Sequence, residues 1–367
     1  MTITTFIIVS IIKSIAVVFV LLTAVAYSVW LERKVSAHIQ NRWGPTRVGP
    51  FGLLQPLADG VKFIFKEDLT QPYVYKPLYI AAPIIAVVFA ITSIAVVPFG
   101  NSLDIPAFHI GLGFIGSWFH IGTWTIGPIS TPFQIAGDSA GDLNIGLLII
   151  LGITSMGVYG VALAGWSSNS KYSLLGGLRA TAQMISYEIS LGLALIPIMI
   201  RSGSFSLKAI VDAQRHLHWN FWYVPFGTLA FFIYLISAYA ETNRTPFDLP
   251  EAESELVAGY HTEYSAMKFA MFFMAEYANM VTVACLATLL FFGGWLGPVF
   301  GPPILQMVLP VIWFCLKVFF FMFLYVWVRW TLPRFRYDQL MAFGWKVLLP
   351  LAIGNLVVTA LWVAATA

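Results

Sequence analysis

The sequence predicts an all-α polytopic membrane protein with about eight transmembrane helices, and three observations indicate this fold class. Of the 367 residues, 59% are hydrophobic and 10% are charged, a composition that ordinary soluble domains do not show. Eight apolar stretches are each close to the ~20 residues that cross a bilayer as a helix. Apolar residues run continuously within each stretch instead of alternating, which favours helices over a membrane β-barrel.

The predicted spans follow one another within a single membrane domain, residues 1–367. They cover residues 6–30, 78–98, 144–165, 179–200, 221–240, 266–292, 306–328 and 344–364. The first span is too long for a cleavable signal peptide and has no basic segment in front of it. We therefore expect it to be retained as a transmembrane helix.

Basic residues predict which loops lie inside. The loops rich in Lys and Arg are 31–77, 166–178, 241–265 and 329–343. Together with the adjoining Arg179 they hold 13 basic residues, whereas the loops on the opposite side hold three. This asymmetry predicts that both termini lie outside, on the periplasmic side. It also accounts for the net charge of +3 without a nucleic-acid partner. The long 99–143 loop has no explanation in the sequence.

The first inside loop contains a predicted amphipathic helix. After Pro50, the polar residues Gln55, Asp59, Lys62 and Lys66 recur at helical spacing, opposite an apolar face. Such a helix is typical of the membrane interface, or packs against the bundle.

The third inside loop concentrates acidic residues. The stretch ETNRTPFDLPEAESELVAGYHTEY, residues 241–264, holds six of the 17 acids. They are Glu241, Asp248, Glu251, Glu253, Glu255 and Glu263. Pro246 and Pro250 prevent a continuous helix, so we expect a loop or a short re-entrant segment. A solvated acidic loop that binds a basic partner is the alternative interpretation.

Two further acids lie in the middle of predicted spans. Glu188 is found in QMISYEISLGL and Glu276 in FFMAEYANM. Placing an ion in hydrocarbon costs at least about 2.5–3.5 kcal/mol on insertion scales, so such acids usually face a bundle interior and serve a polar pathway. We expect Glu188 and Glu276 to exchange protons, with Lys317 in the seventh span as a candidate counter-ion.

The sequence offers no metal or haem site. Cys285 and Cys315 both fall within spans, and the six histidines show no metal-ligand spacing. We therefore expect any redox cofactor to belong to a partner, with no catalytic group supplied by this chain alone.

The inside segments resemble a known family. The motifs are ERKVSAHIQNRWGPTRVGPFGLLQPLADGVKFIFKED, SNSKYSLLGGLRATAQMISYE, AETNRTPFDLPEAESELVAGYHTEYS and RWTLPRFRYDQLMAFGWK. Together they resemble the H subunit of proton-pumping NADH:quinone oxidoreductase, respiratory complex I, over essentially the whole chain. The eight-span count fits this resemblance.

The resemblance implies two sets of site residues. The expected quinone-chamber and docking residues are Glu32, Arg33, Arg42, Asp59, Arg244, Asp248, Glu251, Glu253 and Glu255. The expected proton relay comprises Glu188, Glu241, Glu263 and Glu276. One position departs from the family pattern, because many bacterial members carry a glutamate where this chain has Ser155 before VYG. A serine cannot carry the charge, so water or Glu188 must replace that acid.

Partners and location also follow from the resemblance. It implies quinone as substrate, with FMN and iron–sulfur clusters held by partner subunits. The implied partners are the peripheral-arm quinone-site subunits, the neighbouring small membrane subunits, the antiporter-like subunits and lipid. The chain shows no targeting sequence, which favours the bacterial inner membrane, with the mitochondrial inner membrane as the alternative.

Three other functions are compatible with parts of the sequence. A homologous subunit of a ferredoxin- or hydrogenase-linked complex would differ in its electron donor. A stand-alone proton-coupled transporter would explain the mid-span acids but not the elaborate inside loops. An assembly scaffold would explain the loops but would leave Glu188 and Glu276 without a role.

Overall fold

The computed structural model describes residues 3–100, 103–105, 108–110, 124–126, 129–131, 143–216, 218–248 and 258–366. The first five helices in chain order are α1 (Ile3–Ile39), α2 (Gln55–Phe65), α3 (Lys76–Ile94), α4 (Gly146–Ser167) and α5 (Lys171–Ser202). The remaining helices are α6 (Leu207–Ala213), α7 (Phe226–Glu241), α8 (Ala266–Phe291), α9 (Pro303–Thr331), α10 (Tyr337–Phe343) and α11 (Leu349–Thr366). A π-helical turn, Gly344–Leu348, joins α10 to α11.

The predicted all-α membrane fold is confirmed. Seven helices in the described part of the chain are long and apolar enough to cross a membrane, with α10, the π turn and α11 counted as one. The eighth apolar helix, α7, is shorter, at 16 residues. The side on which the termini lie stays a prediction.

Local sequence explains several helix ends. Proline stands in the first turn of α2 and of α3, where its missing N–H costs nothing. The Ser206 hydroxyl accepts from the Ala209 N–H at 3.1 Å and so caps α6. Gly203 ends α5 in the left-handed conformation, with φ of 65°.

Two helices extend beyond the apolar stretches that predicted them. α1 continues past residue 30 to Ile39, and α5 already begins at Lys171. Small residues make the second extension possible: a Cβ on Gly176 would lie 2.7 Å from the Gly259 Cα. Close approach of backbones through small residues is typical of membrane helix packing. Both extensions carry helical backbone into the loops that were expected to lie inside.

Four short strands belong to the 99–143 segment, for which the sequence offered no explanation. They are β1 (Leu103–Ile105), β2 (Phe108–Ile110), β3 (Trp124–Ile126) and β4 (Ile129–Thr131). β1 pairs antiparallel with β4, and β2 pairs antiparallel with β3. The β2–β3 pair is therefore nested inside the β1–β4 pair in chain order.

The core of the bundle surrounds α8. This helix contacts α1, α3, α6, α7 and α9, and most of its second half is buried. α5 packs against α4, α7 and α11 on the other side of the bundle. α1, α9 and α11 present many exposed aliphatic and aromatic side chains, as expected of helices at a lipid boundary. Acids on α5, α7 and α8 consequently lie inside the bundle.

Candidate functional site

Glu32 lies on the part of α1 that extends beyond the predicted span. Its Oε1 accepts from Arg329 Nη1 at 2.5 Å, and its Oε2 accepts from Tyr277 Oη at 2.5 Å. The carboxylate side chain is only 12% exposed. A buried carboxylate is costly unless it is paired and hydrogen-bonded, and residues of α8 and α9 satisfy this one.

Arg244 occupies the space between two acids. Its Nη1 lies 3.9 Å from Glu32 Oε2, and its Nη2 lies 3.6 Å from Glu276 Oε2. The guanidinium carbon also lies 4.2 Å from the centre of the Tyr277 ring, within the range of a cation–π interaction. The side chain is 6% exposed. Arg244 thus links α1 to α8 electrostatically in a site removed from water.

Glu276 is held from a second side. Tyr260, in the short turn Gly259–His261, donates its hydroxyl to Glu276 Oε1 at 3.0 Å. Tyr260 itself is 1% exposed. The mid-span acid therefore combines an ion pair with a hydrogen bond, so the structural and functional interpretations of Glu276 are not exclusive.

A small cavity connects this cluster to the end of α7. It measures about 30 Å³ and is lined by Glu241, Asn243, Tyr260, Glu276 and Asn279, among others. Such a volume holds one or two water molecules, and polar walls are what a buried water requires. Glu241 and Glu276 therefore share a polar space.

Glu188 and Ser155 meet at the interface of α5 and α4. The Ser155 hydroxyl donates to Glu188 Oε1, and Leu151 O, at 2.9 Å, is an alternative acceptor. The residue that replaces the expected third-span acid is thus in direct contact with the next acid. A hydroxyl can both donate and accept, so it extends a hydrogen-bonded path without carrying charge.

The acidic stretch begins as a buried turn. Gln183 Nε2 on α5 lies within hydrogen-bond distance of Ala240 O, Phe247 O and Asn243 Oδ1, at 2.8, 2.9 and 3.2 Å. Asp248 is 4% exposed and accepts from Arg334 Nη2 at 3.3 Å. Residues 240–248 are thus packed against the bundle and are not a solvated loop. Glu251, Glu253 and Glu255 lie outside the described residues.

The remaining predicted residues lie at the periphery of this arrangement. Arg33 Nη1 donates to Asp59 Oδ2 at 2.6 Å, which ties α1 to the amphipathic helix α2. Arg42 is exposed and donates to Gln40. Glu263 accepts from Tyr73 Oη at 2.9 Å, and this hydrogen bond, with some burial, raises the pKa of Tyr73. Glu263 consequently belongs to a different polar neighbourhood from Arg244.

Five participants were missed by sequence reasoning. They are Ser155 as a partner of Glu188, together with Gln183, Tyr260, Tyr277 and Arg329. Tyr277 directly follows Glu276, and Arg329 opens the motif RWTLPRFRYDQLMAFGWK, so a signal for these two was present. Gln183 and Tyr260 give no such signal because their role depends on tertiary packing.

Comparison with known proteins supplies an independent observation. Residues 12–360 match the family described as NADH dehydrogenase. The chain is 66% identical to NADH-quinone oxidoreductase H subunit 2 of Koribacter versatilis, over 98% of each chain. It is 48% identical to NADH-quinone oxidoreductase H subunit 1 of Solibacter usitatus, again over 98% of each. The corresponding H subunit 2 of Geobacter metallireducens is 52% identical, over 93% of this chain and 91% of the relative.

Proposed function

Because the chain belongs to the family of NADH-quinone oxidoreductase H subunits, we propose that it couples quinone reduction to proton translocation through its buried acids. The observation that carries this proposal is the succession of polar groups from Glu32 through Arg244 to Glu276 and Glu241. Glu188 continues it in the same bundle. Mid-membrane acids in such a succession are typical of proton pathways.

The coupling mechanism follows from charge balance around Arg244. Two carboxylates, Glu32 and Glu276, face one guanidinium, and the hydroxyls of Tyr277 and Tyr260 support them. A change of charge near the inner end of α1 alters the attraction between Arg244 and Glu276. When Glu276 loses that partner, it binds a proton more readily, and water in the adjoining cavity carries the proton to or from Glu241.

The inner surface of the chain forms the entrance and part of the wall of the quinone chamber in this proposal. The Arg33–Asp59 pair fixes α2 against α1, and Asp248 with Arg334 fixes the start of the acidic stretch. Glu251, Glu253 and Glu255 follow in sequence and extend the docking surface. Quinone is the substrate, guided in from lipid, and FMN and iron–sulfur clusters belong to partner subunits.

The partners and the membrane follow from the same family. The peripheral-arm quinone-site subunits dock on the inner loops, and small membrane subunits and antiporter-like subunits contact the bundle. The membrane is the bacterial cytoplasmic membrane, with both termini on its outer side, since the relatives above are bacterial. The basic residues of the inner loops support this orientation.

Paired measurements on sealed vesicles test the proposal. Quinone reduction and proton translocation are recorded together for the assembled complex with Glu188→Gln or Glu276→Gln, and native gels monitor assembly. A control with Glu67→Gln, an exposed acid in the first inner loop, reports on the loss of any single charge. We expect the number of protons moved per electron to fall in both buried-acid variants. Unchanged stoichiometry in both would reduce these acids to structural pairs in a scaffold.

A further inference from the structure

A large apolar cavity lies between α1, α8 and α9, separate from the acids. Its volume is about 570 Å³. It runs along α1 from Ala16 to Leu31, and Phe99 and Phe314, whose ring centres are 5.7 Å apart, line its outer end. Cys285 on α8 and Cys315 on α9 both belong to its wall. This cavity has no part in the proposed proton path.

The polar groups in the wall already have hydrogen-bond partners. The Ser28 hydroxyl donates to Ala24 O at 2.6 Å, and Trp30 Nε1 donates to Phe51 O at 3.3 Å. The other lining side chains are almost all aliphatic or aromatic. A polar headgroup would lose its hydration there without compensation. The chemistry of the wall selects for hydrocarbon.

The dimensions of the cavity limit its occupant further. From Ala16 to Leu31 the helix rises about 22 Å, so the mean cross-section of the cavity is about 25 Å². A helix with its side chains is at least ~10 Å wide, or about 80 Å² in section, and cannot enter. A single extended hydrocarbon chain fits both the length and the width.

Leaving this space empty would be unfavourable. Atoms that line a void lose their dispersion contacts on one side, and the cost rises with the volume of the void. Water gains no hydrogen bonds from an apolar wall and leaves such cavities dry. In a bilayer the available filler is the hydrocarbon of the surrounding lipid.

We propose that this cavity is a structural lipid site that holds one acyl chain of a membrane phospholipid between α1, α8 and α9. The headgroup stays outside, and the chain bridges the peripheral helix α1 to the central helix α8. The inference goes beyond the proposed function, because it concerns neither the quinone headgroup nor the acids.

Photo-crosslinking in the assembled complex tests this site. The complex is reconstituted in nanodiscs containing phosphatidylcholine with a diazirine in one acyl chain, irradiated and mapped by mass spectrometry. We expect adducts on all three helices, including Val281 and Cys285, which are shielded from bulk lipid. Adducts restricted to outward side chains such as Leu316 and Phe320 would overturn the proposal.

A matched pair of variants on α1 makes the test specific. Ala24→Phe places a ring in the cavity, whereas Ala26→Phe changes the same helix outside its lining. Overfilling a packed space by a ring disfavours the bound chain, so Ala24→Phe should lower the Cys285 adducts by about tenfold. Ala26→Phe should leave them unchanged. Equal yields in the two variants would contradict the proposal.

Two further measurements cover the remaining outcomes. Adding long-chain quinone in place of part of the lipid should leave the adducts unchanged, and their displacement would identify the occupant as a quinone tail instead. If Ala24→Phe prevents assembly, the native chain offers Cys285 as a reporter. An apolar maleimide should modify Cys285 faster after lipid is stripped with detergent, and equal rates with and without lipid would refute the site.

Discussion

The Arg244 guanidinium lies between Glu32 and Glu276, with nitrogen-to-oxygen distances of 3.9 Å and 3.6 Å. These residues come from the last part of α1, the segment after α7 and the middle of α8. One cation thus connects three parts of the chain that are far apart in sequence. Because all three side chains are largely buried, the arrangement is sensitive to the loss of any one charge.

Removal of Arg244 should therefore be severe. In Arg244→Met, Glu32 and Glu276 remain buried without the charge between them, and breaking a buried pair costs about 3–5 kcal/mol. We expect strongly reduced quinone reductase activity and less assembled complex on native gels. Arg42→Met, an exposed arginine, serves as the control and should assemble normally. Wild-type activity and assembly in Arg244→Met would exclude a central role for this residue.

Ser155 should matter through its hydroxyl. Ser155→Ala removes the donor to Glu188, whereas Ser155→Thr retains one. A hydrogen bond to a charged group contributes about 1.5–3 kcal/mol, which corresponds to a loss of roughly tenfold or more in a rate that depends on it. We expect slower proton translocation in vesicles for Ser155→Ala and near-normal translocation for Ser155→Thr. If both variants pump like the wild type, Ser155 only fills space.

Gln183 should stabilise the start of the acidic stretch. Gln183→Leu removes the amide that faces Ala240 O, Phe247 O and Asn243. Buried acceptors left unsatisfied cost about 1–3 kcal/mol, so the thermal midpoint of the complex should fall. Gln306→Leu, which removes one exposed side-chain bond to Gly301 O, is the matched control. A midpoint that falls equally in both variants would count against the proposed role.

Lys317 should stabilise the loop that follows α8. Its Nζ donates to Phe292 O, Gly294 O and Leu296 O, each at 2.8 Å. A cation near the carbonyl end of a helix is favourable, so Lys317 acts as a cap for α8 from another helix. Lys317→Met should lower the thermal midpoint of the reconstituted complex, and Lys346→Met, at an exposed site, should not. Equal midpoints for the two variants would exclude this capping role.

The sequence predicted the fold class and part of the site. Continuous apolar runs of spanning length require helices, and acids such as Glu276 within those runs require a polar interior, so both predictions follow from desolvation alone. The position of Lys317 in a span was equally clear. Its partners were not, because three backbone carbonyls of a turn leave no mark in composition.

What the sequence could not predict depends on three-dimensional packing. The extension of α5 to Lys171 depends on Gly176 meeting Gly259, a contact between residues far apart in sequence. The pairing of Ser155 with Glu188 likewise depends on how α4 and α5 are placed against each other. The long segment with β1 to β4 was recognised as unusual, but its short strands have no alternating pattern strong enough to predict them.

Buried acids of this chain should change protonation when quinone is reduced, which is the central claim of the proposed function. Infrared difference spectroscopy of the complex, recorded between the oxidised and quinol-bound states, measures this directly in the carboxyl C=O stretching region. We predict a difference band in the wild type that is lost or shifted in Glu241→Gln and in Glu276→Gln and is unchanged in Glu67→Gln. An identical band in all four proteins would contradict the claim.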